Sequence, residues 1–443
     1  MAPVTYAEAT TFLFSLRRFG WRLGLETVRH LLDLLGDPQT SLPSAHIGGT
    51  NGKGSTAAML SAILQAAGYR TGLYTSPHLL GFMERIRVNG VAIPEREVTR
   101  LTAQLRDLCS ARFAHHPTPN SPSDRLPHPT FFELTTAMAF LHFAQQAAEA
   151  AVIEVGLGGR FDATNVISPR VAVVTNVSLE HQEYLGRTLP EIAVEKAGII
   201  KPGVPVVTAS RGEAYEIIRR TASEREAPLV HVAAAYAWTI RASGLAGQTL
   251  DLVGPTRRYE GLQIPLAGGH QAENAVTAIA AAEVLETQGF RVGETAIRSG
   301  LTRARWPGRL QMVADRPRIL LDGAHNPAGA QALATFLAEH RSTLNRLILV
   351  FGVLQDKDWE AMLALLGPLA DQIILTHPPA DRGADPHDLV TADRYCPKVD
   401  IAADPEEGLA LARAVARPED TILVTGSLYT VAAALRALDV PVL

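Results

Sequence analysis

Apolar positions along this chain switch repeatedly between a helical rhythm and short unbroken runs. Residues 5–36 carry two helical patterns. The second is marked by Leu25, Val28, Leu31, Leu32 and Leu35 and halts at Gly36-Asp37-Pro38. Ala45 and Ile47 then lead through a glycine-dense loop into a helix-like run over residues 56–67. Residues 70–75 read as a strand, 85–91 as another with a turn at Asn89-Gly90, and 95–112 as a helix. Thr130 and Glu133 form a capping-box pair that opens a helix to residue 149. Beyond it, strands at 151–155, 171–177 and 204–209 alternate with loops and a helix at 189–198. That alternation predicts a doubly wound parallel sheet with ligands beyond the carboxyl ends of its strands.

Residues 228–268 change character. Strand-like pieces at 237–240, 249–253 and 262–264 predict a small β addition. An alanine-rich helix follows at 271–288, and residues 303–309, with Trp306-Pro307-Gly308, read as a hinge. Strands at 319–322, 347–351, 372–376 and 421–425 then alternate with helices to the end. The pattern predicts an α/β fold: a P-loop nucleotide-binding α/β domain over 1–303, then a smaller Rossmann-like α/β domain over 304–443. Residues 113–129 interrupt it with five prolines among His, Ser and Asn, and read as a surface loop. His115, His116 and His128 read as part of a polar excursion there, with a metal site as the alternative.

Composition narrows the partners. The 443 residues suffice for two cored domains, and 47% apolar with 19% charged is an ordinary globular balance. A net charge of −4 without a basic block argues against nucleic acid as a principal partner. Cys109 and Cys396 form no CxxC pair, which fits a reducing compartment without a disulfide or zinc framework. The N-terminus lacks a signal-peptide plan and no apolar run approaches membrane-spanning length, so a cytoplasmic protein with no membrane partner is expected. Only five of the 41 basic residues are lysines: Lys53, Lys196, Lys201, Lys357 and Lys398. A compact primary amine does things a guanidinium cannot, so each lysine is a question. Lys201 and Lys398 read as surface residues.

The glycine-dense loop is the first candidate site. Glycines let backbone N–H groups close on polyphosphate oxygens, the helix start adds a positive dipole end, and Lys53 neutralises charge. Gly54 stands where the strict nucleotide-loop pattern has Ser or Thr, and Ser55 follows; a ligand-free strand-to-helix turn is the alternative. Ser76, Glu154 and His181 fall at predicted strand ends on the same rim. If those ends converge, they stand where a magnesium–phosphate complex belongs, although imidazole is an unusual ligand for so hard a cation. Taken singly they could equally be a turn serine, a paired glutamate and a capped histidine. For Lys196, on a helix capped by Thr188 and Glu191, the default is a solvated lysine. In the second domain, strand-end loops carry Asp322 to Pro327, Gly352 to Asp358, and Gly426-Ser427.

These motifs together resemble the folylpolyglutamate synthase/dihydrofolate synthase family, the folate branch of the Mur-type amide ligases. The matching segments are His46-Ile-Gly-Gly-Thr-Asn-Gly-Lys-Gly-Ser55, Thr75-Ser-Pro-His-Leu79 and Glu154-Val-Gly-Leu-Gly-Gly-Arg-Phe-Asp-Ala-Thr-Asn165. Val174-Thr-Asn-Val-Ser-Leu-Glu-His181, Glu195-Lys-Ala-Gly-Ile199, Trp306-Pro-Gly-Arg309, Asp322-Gly-Ala-His-Asn-Pro327, Asp356-Lys-Asp358 and Gly426-Ser-Leu-Tyr429 continue the match in family order. Gly54 is what the folate branch normally has.

The resemblance implies a Mur-ligase-like fold and ATP-dependent joining of L-glutamate to a pteroate or folate carboxylate through an acyl phosphate. It implies that Thr50, Asn51, Gly52, Lys53, Gly54 and Ser55 cradle ATP, with Asn274, Arg309 and Asp322 also on the nucleotide. Ser76 and Glu154 would bind one Mg2+ and His181 a second, with a carbamylated Lys196 on that second ion. Lys53, His181 and Lys196 would be catalytic. Phe132, Glu133, Asp162, His325 and Ser427 would bind substrate, with the capping box a rival reading for Glu133. A monomer is implied. The family's Leu-Asp-His-Thr-Asp near the second metal is Leu179-Glu-His-Gln-Glu183 here, keeping charge on longer side chains. Rival readings are a ligase of the same fold acting on another carboxylate, such as a cell-wall precursor, and a nucleotide-binding regulator on a degraded ligase scaffold.

Overall fold

Short, fully buried strands build the first unit. The computed structural model describes residues 5–20, 22, 24–113 and 126–442. The strands are β1 Ser44–Gly48, β2 Thr71–Tyr74, β3 Ile86–Val88, β4 Val91–Ala92, β5 Ala150–Glu154, β6 Val171–Val174, β7 Val206–Thr208 and β8 Leu229–His231. They form one eight-stranded sheet in the order β4-β3-β2-β5-β1-β6-β7-β8. Pairing is parallel from β2 to β8 and antiparallel at the β2-β3-β4 edge. Every residue of β1, β2, β5, β6 and β7 is buried, as expected where helices cover both faces of a parallel sheet. β1 is buried on both faces: Ala45 and Ile47, at most 1% exposed, lie on one and His46, 0% exposed, on the other.

Three antiparallel strands follow: β9 Ala237–Gly244, β10 Gly247–Val253 and β11 Arg258–Ile264. A third sheet holds β12 Gln311–Asp315, β13 Arg318–Leu321, β14 Leu347–Phe351, β15 Gln372–Thr376, β16 Val399–Ala402 and β17 Thr421–Thr425, in the order β12-β13-β17-β14-β15-β16. It is parallel except for the β12 edge.

The chain divides into two compact units, Met1–Tyr236 with Asn274–Leu301, and Ala237–Glu273 with Thr302–Leu443. The three-stranded sheet therefore counts with the second unit, and the division falls inside the helix Gly269–Thr287. Residues 228–268 split too: β8 extends the main sheet, and only β9 to β11 form the separate addition. Local pattern could not show this, because β8 pairs with β7, more than twenty residues away. The helix opened by Thr130 spans Phe131–Gln145 rather than reaching 149, and Ala147 leaves it with φ 49°. Most of the proline-rich stretch, including His115 and His116, lies outside the described residues.

Close approach explains one glycine on a helix. Gly300, in the helix Glu294–Arg303, faces the backbone of Ile63 in the helix Lys53–Ala66, and a Cβ there would collide with it. Gly300→Ala should therefore destabilise the protein by about 2 kcal/mol through overpacking. Chemical denaturation checks this; an unchanged midpoint would contradict the packing.

Candidate active site

The loop between β1 and the helix Lys53–Ala66 needs glycine twice. Gly49 (φ 133°) and Gly52 (φ 82°) sit in left-handed backbone, and side chains there would collide with Thr175 and Asn274 respectively. Asn274 is thereby packed against the loop. The exit of β6 pins the same loop. Thr50 N–H donates to Asn176 O (2.8 Å) and Asn51 N–H to Asn176 Oδ1 (3.0 Å). Ser178 N–H donates to Thr50 Oγ1 (3.0 Å), and the Thr175 hydroxyl donates to Asn51 O (2.7 Å). Lys53 folds back to donate to Gly49 O (3.0 Å) and Thr50 O (2.8 Å). Gly54 and the buried Ser55 lie in the first turn of the helix that Lys53 opens.

Lys196 departs from the solvated default. It is 3% exposed, and its Nζ donates to the same Gly49 oxygen at 2.9 Å. It belongs to the helix Leu189–Ala197, whose first turn is fixed by the reciprocal Thr188–Glu191 capping box. Burial first, and then the Lys53 charge, pull its pKa down to about 7, with Glu180 opposing them. A lysine near pH 7 is neutral often enough to act as a nucleophile.

Glu154 closes β5 beside Ile47 of β1, is 3% exposed, and accepts the Ser76 N–H at 3.0 Å. Ser76, beyond the end of β2, and Glu154 are thus adjacent. His181 takes a left-handed φ of 50°, uncommon outside glycine, and its Nε2 lies 3.8 Å from Glu180 Oε1. Glu180 therefore serves both His181 and Lys196, a role that the sequence pattern gave no reason to assign. Among the described residues no three His, Cys, Asp or Glu side chains gather as a ready metal cluster. The oxygen donors of Ser76 and Glu154 nevertheless suit Mg2+, which keeps several of its own waters and needs few protein ligands. His128 is buried, bonded through Nδ1 to Pro129 O (2.9 Å) and stacked on Phe19, so it has structural partners instead of a metal-like setting.

An aromatic and cationic cluster adjoins this rim. Phe131 lies 5.8 Å from Phe14 and 6.3 Å from Phe82, ring to ring, and 5.5 Å from Phe132 at 84°. The Arg85 guanidinium stands 5.2 Å over Phe131 and 6.0 Å over Phe132, and Arg17 stands 5.2 Å over Phe131. Arg85 donates its Nε–H to His78 Nδ1 (2.8 Å); burial, then Arg85 and Arg17, hold His78 down to about 3 and neutral. Phe132 remains 37% exposed beside Gly156. Such a surface suits a flat aromatic ligand with an anionic tail. Arg85, Arg17 and Phe14 escaped sequence reading; the one available signal was an arginine opening a short strand otherwise bound for the core.

Two expected substrate contacts have partners of their own. Glu133 completes the capping box, its Oε2 accepting Thr130 N–H at 2.7 Å. Asp162 accepts Gly156 N–H (3.0 Å), Leu157 N–H (2.9 Å), Thr164 N–H (3.0 Å) and the Thr164 hydroxyl. Lys201, read as a surface residue, is half-buried and donates to Asn165 O at 2.9 Å.

In the second unit, the loops after β13, β17 and β14 leave three adjacent strands. Asp322 accepts Leu310 N–H and Ala324 N–H, each at 2.9 Å. Arg309 donates to Gly308 O (2.9 Å), and His325 Nδ1 bonds Gly323 O (2.8 Å). Ser427 is 2% exposed and caps the helix Leu428–Ala437 by accepting Thr430 N–H (3.1 Å).

A loop of this kind, a buried lysine on its carbonyl, and a second strand-end cluster define a class. Family models for the Mur ligase middle domain match residues 98–282, and for the Mur ligase glutamate ligase domain residues 308–428. The fold is thus that of the Mur ligases. Dihydrofolate synthase/folylpolyglutamate synthase of Bacillus subtilis is 36% identical over 427 residues, covering 96% of this chain and 97% of that one. Mycobacterium tuberculosis folylpolyglutamate synthase complexed with ADP matches with a TM-score of 0.88 and 34% identity, covering 98% of this chain and 99% of that one. The Escherichia coli protein in complex with DHPP and ADP matches at 0.85 and 32%, covering 98% and 99%. The chain belongs to the dihydrofolate synthase/folylpolyglutamate synthase family, the folate branch of the Mur ligases. It is an ATP-dependent acid–amino-acid ligase.

The Lys196 environment has a consequence for stability. Its folded pKa of about 7 lies below the ordinary lysine value of 10.5, so the folded chain binds fewer protons there than the unfolded one. This disfavours folding most below pH 7, and the effect fades as pH rises toward the ordinary value. Lys196→Met should therefore raise Tm in CO2-free buffer at pH 6, with a smaller gain at pH 9. Calorimetry at both values checks it; a lower Tm at both would contradict the burial argument.

Proposed function

We propose that this ligase activates the carboxylate of a pteroate or folate with ATP and joins it to the α-amine of L-glutamate, working as a cytoplasmic monomer without nucleic acid. The buried Lys196 on the carbonyl of the phosphate loop is the observation that supports this most strongly. Such an amine has no structural reason to be lysine, and its burial is costly.

In this reading Thr50 to Ser55 cradle the ATP phosphates, with Lys53 swinging from its own loop carbonyls onto phosphate oxygens. Asn274, packed on Gly52, contacts the nucleotide, and Arg309 and Asp322 do so from the second unit. Ser76 and Glu154 would hold one Mg2+; His181 and a carbamate on Lys196 would hold a second. Bound there, the cations would offset charge on the transferred phosphoryl group. Addition of CO2 to neutral Lys196 forms an N–C bond and releases a proton, turning a neutral amine into an anion with two oxygen donors.

Phe132, with the Arg85 and Arg17 cluster behind it, would stack the pteridine or benzoate ring. Glu133 and Asp162 support that surface, as capping-box partner and loop holder. His325 and Ser427 would serve glutamate in the second unit, so residues 1–303 carry the acceptor and the ATP phosphates, and 304–443 the amino acid with further nucleotide contacts. A carboxylate oxygen of the acceptor attacks the γ-phosphorus and the bond to ADP breaks, giving an acyl phosphate. The glutamate amine then attacks the carbonyl carbon, the C–N bond forms, phosphate leaves, and the amine gives up its proton. Water exclusion matters because the acyl phosphate would otherwise hydrolyse.

ADP release by the purified protein should require an acceptor and L-glutamate together, measured in parallel with dihydropteroate and with a reduced folate. ADP release indifferent to both would overturn the proposal.

A further inference from the structure

Between β1 and the glycine-rich loop after β5 runs a buried chain of polar groups, two of which, His46 and Thr164, the reading above leaves without a task. His46, 0% exposed in β1, bonds through Nε2 to Thr164 Oγ1 at 2.8 Å. Thr164, 1% exposed, gives its hydroxyl proton to Asp162 Oδ1, and Asp162 Oδ2 takes the N–H groups of Gly156 and Leu157. Gly156 lies under the Phe132 ring: a Cβ there would sit 3.0 Å from Phe132 Cε1 and 3.2 Å from Asp162 Oδ2.

The partners fix the direction of these bonds. Burial raises the Asp162 carboxyl, but its three backbone N–H partners can only donate and oppose that rise, and they hold it as the carboxylate. The one hydroxyl proton of Thr164 then goes to Asp162, so the histidine must donate, through Nε2–H. His46 Nδ1, which is buried and has no hydrogen-bond partner among the described residues, is then a bare acceptor, less costly than a stranded N–H. Burial holds His46 down to about 3, so it stays neutral and keeps this one tautomer.

We propose that His46 and Thr164 are positioning residues for acceptor binding: through the Asp162 carboxylate they set the Gly156–Leu157 backbone that supports Phe132. This rests on the placement of the acceptor ring at Phe132 proposed above. A methyl group in place of the Thr164 hydroxyl leaves shape nearly intact. It deprives Asp162 of one donor and His46 of its acceptor, and frees the loop to shift.

The test measures KM for the acceptor and for ATP, together with Tm, in four variants. Thr164→Val should raise the acceptor KM about tenfold, the scale of one lost bond to a buried charge, and leave the ATP KM within about twofold. Thr164→Ser should restore the wild-type acceptor KM. His46→Leu, which keeps the Thr164–Asp162 bond, should raise the acceptor KM less than Thr164→Val, and it carries the comparison if Thr164→Val does not fold. Phe132→Ala separates the two ideas. If it raises the acceptor KM while Thr164→Val and His46→Leu do not, or raise the ATP KM equally, the positioning role is wrong. If Phe132→Ala leaves the acceptor KM unchanged, the acceptor placement itself is wrong.

Discussion

Two primary amines share one backbone oxygen. Lys53 and Lys196 come from different helices and both donate to Gly49 O, at 3.0 and 2.9 Å. Two ammonium groups so placed repel, and burial of Lys196 removes the water that would screen them. One solution is for Lys196 to give up its proton, which its pKa of about 7 allows. The phosphate loop thus holds the Lys53 amine on its own carbonyls and gains beside it a buried amine able to change its charge. An arginine at 196 could not change its charge in this way, because its guanidinium stays protonated.

Holding that arrangement requires the helix Leu189–Ala197 to meet the loop after β5 without a gap. Gly159 lies where a Cβ would come within 2.8 Å of Glu195 O, and a Cβ on Gly198 would collide with Arg160. Arg160 N–H donates to Glu195 O (2.9 Å), and Asn165 Nδ2–H bridges Arg160 O (2.9 Å) and Gly198 O (3.2 Å). Lys201 adds a bond to Asn165 O (2.9 Å). The glycines and the Asn are therefore packing constraints on the position of Lys196. The same loop, through Asp162, borders Phe132, so one segment touches both halves of the proposed chemistry.

Much of this was legible in the sequence, for a physical reason in each case. The phosphate loop shows because only glycine enters the backbone that Gly49 and Gly52 adopt. The parallel sheet shows because strands covered on both faces read as unbroken apolar runs. The capping boxes at Thr130 and Thr188 show because both partners lie within four residues. What stayed hidden depends on distant partners. Lys196 sits on a short helix, and which face turns inward is decided by β1 and the Gly159 contact, not by local spacing. Lys201 read as a surface residue because its acceptor, Asn165 O, is 36 residues away. β8 read as part of the addition because its partner strand lies earlier in the chain. Arg85 became visible only once the aromatic rings of three separate segments met.

Carbon-13 NMR of the protein equilibrated with 13C-bicarbonate tests the central claim most directly. If the second amine at Gly49 is held neutral so that it can take up CO2, the wild-type protein will show a carbamate resonance, and Lys196→Met will lose it. A folded wild-type protein with no such resonance, or a resonance that survives in Lys196→Met, would contradict the account.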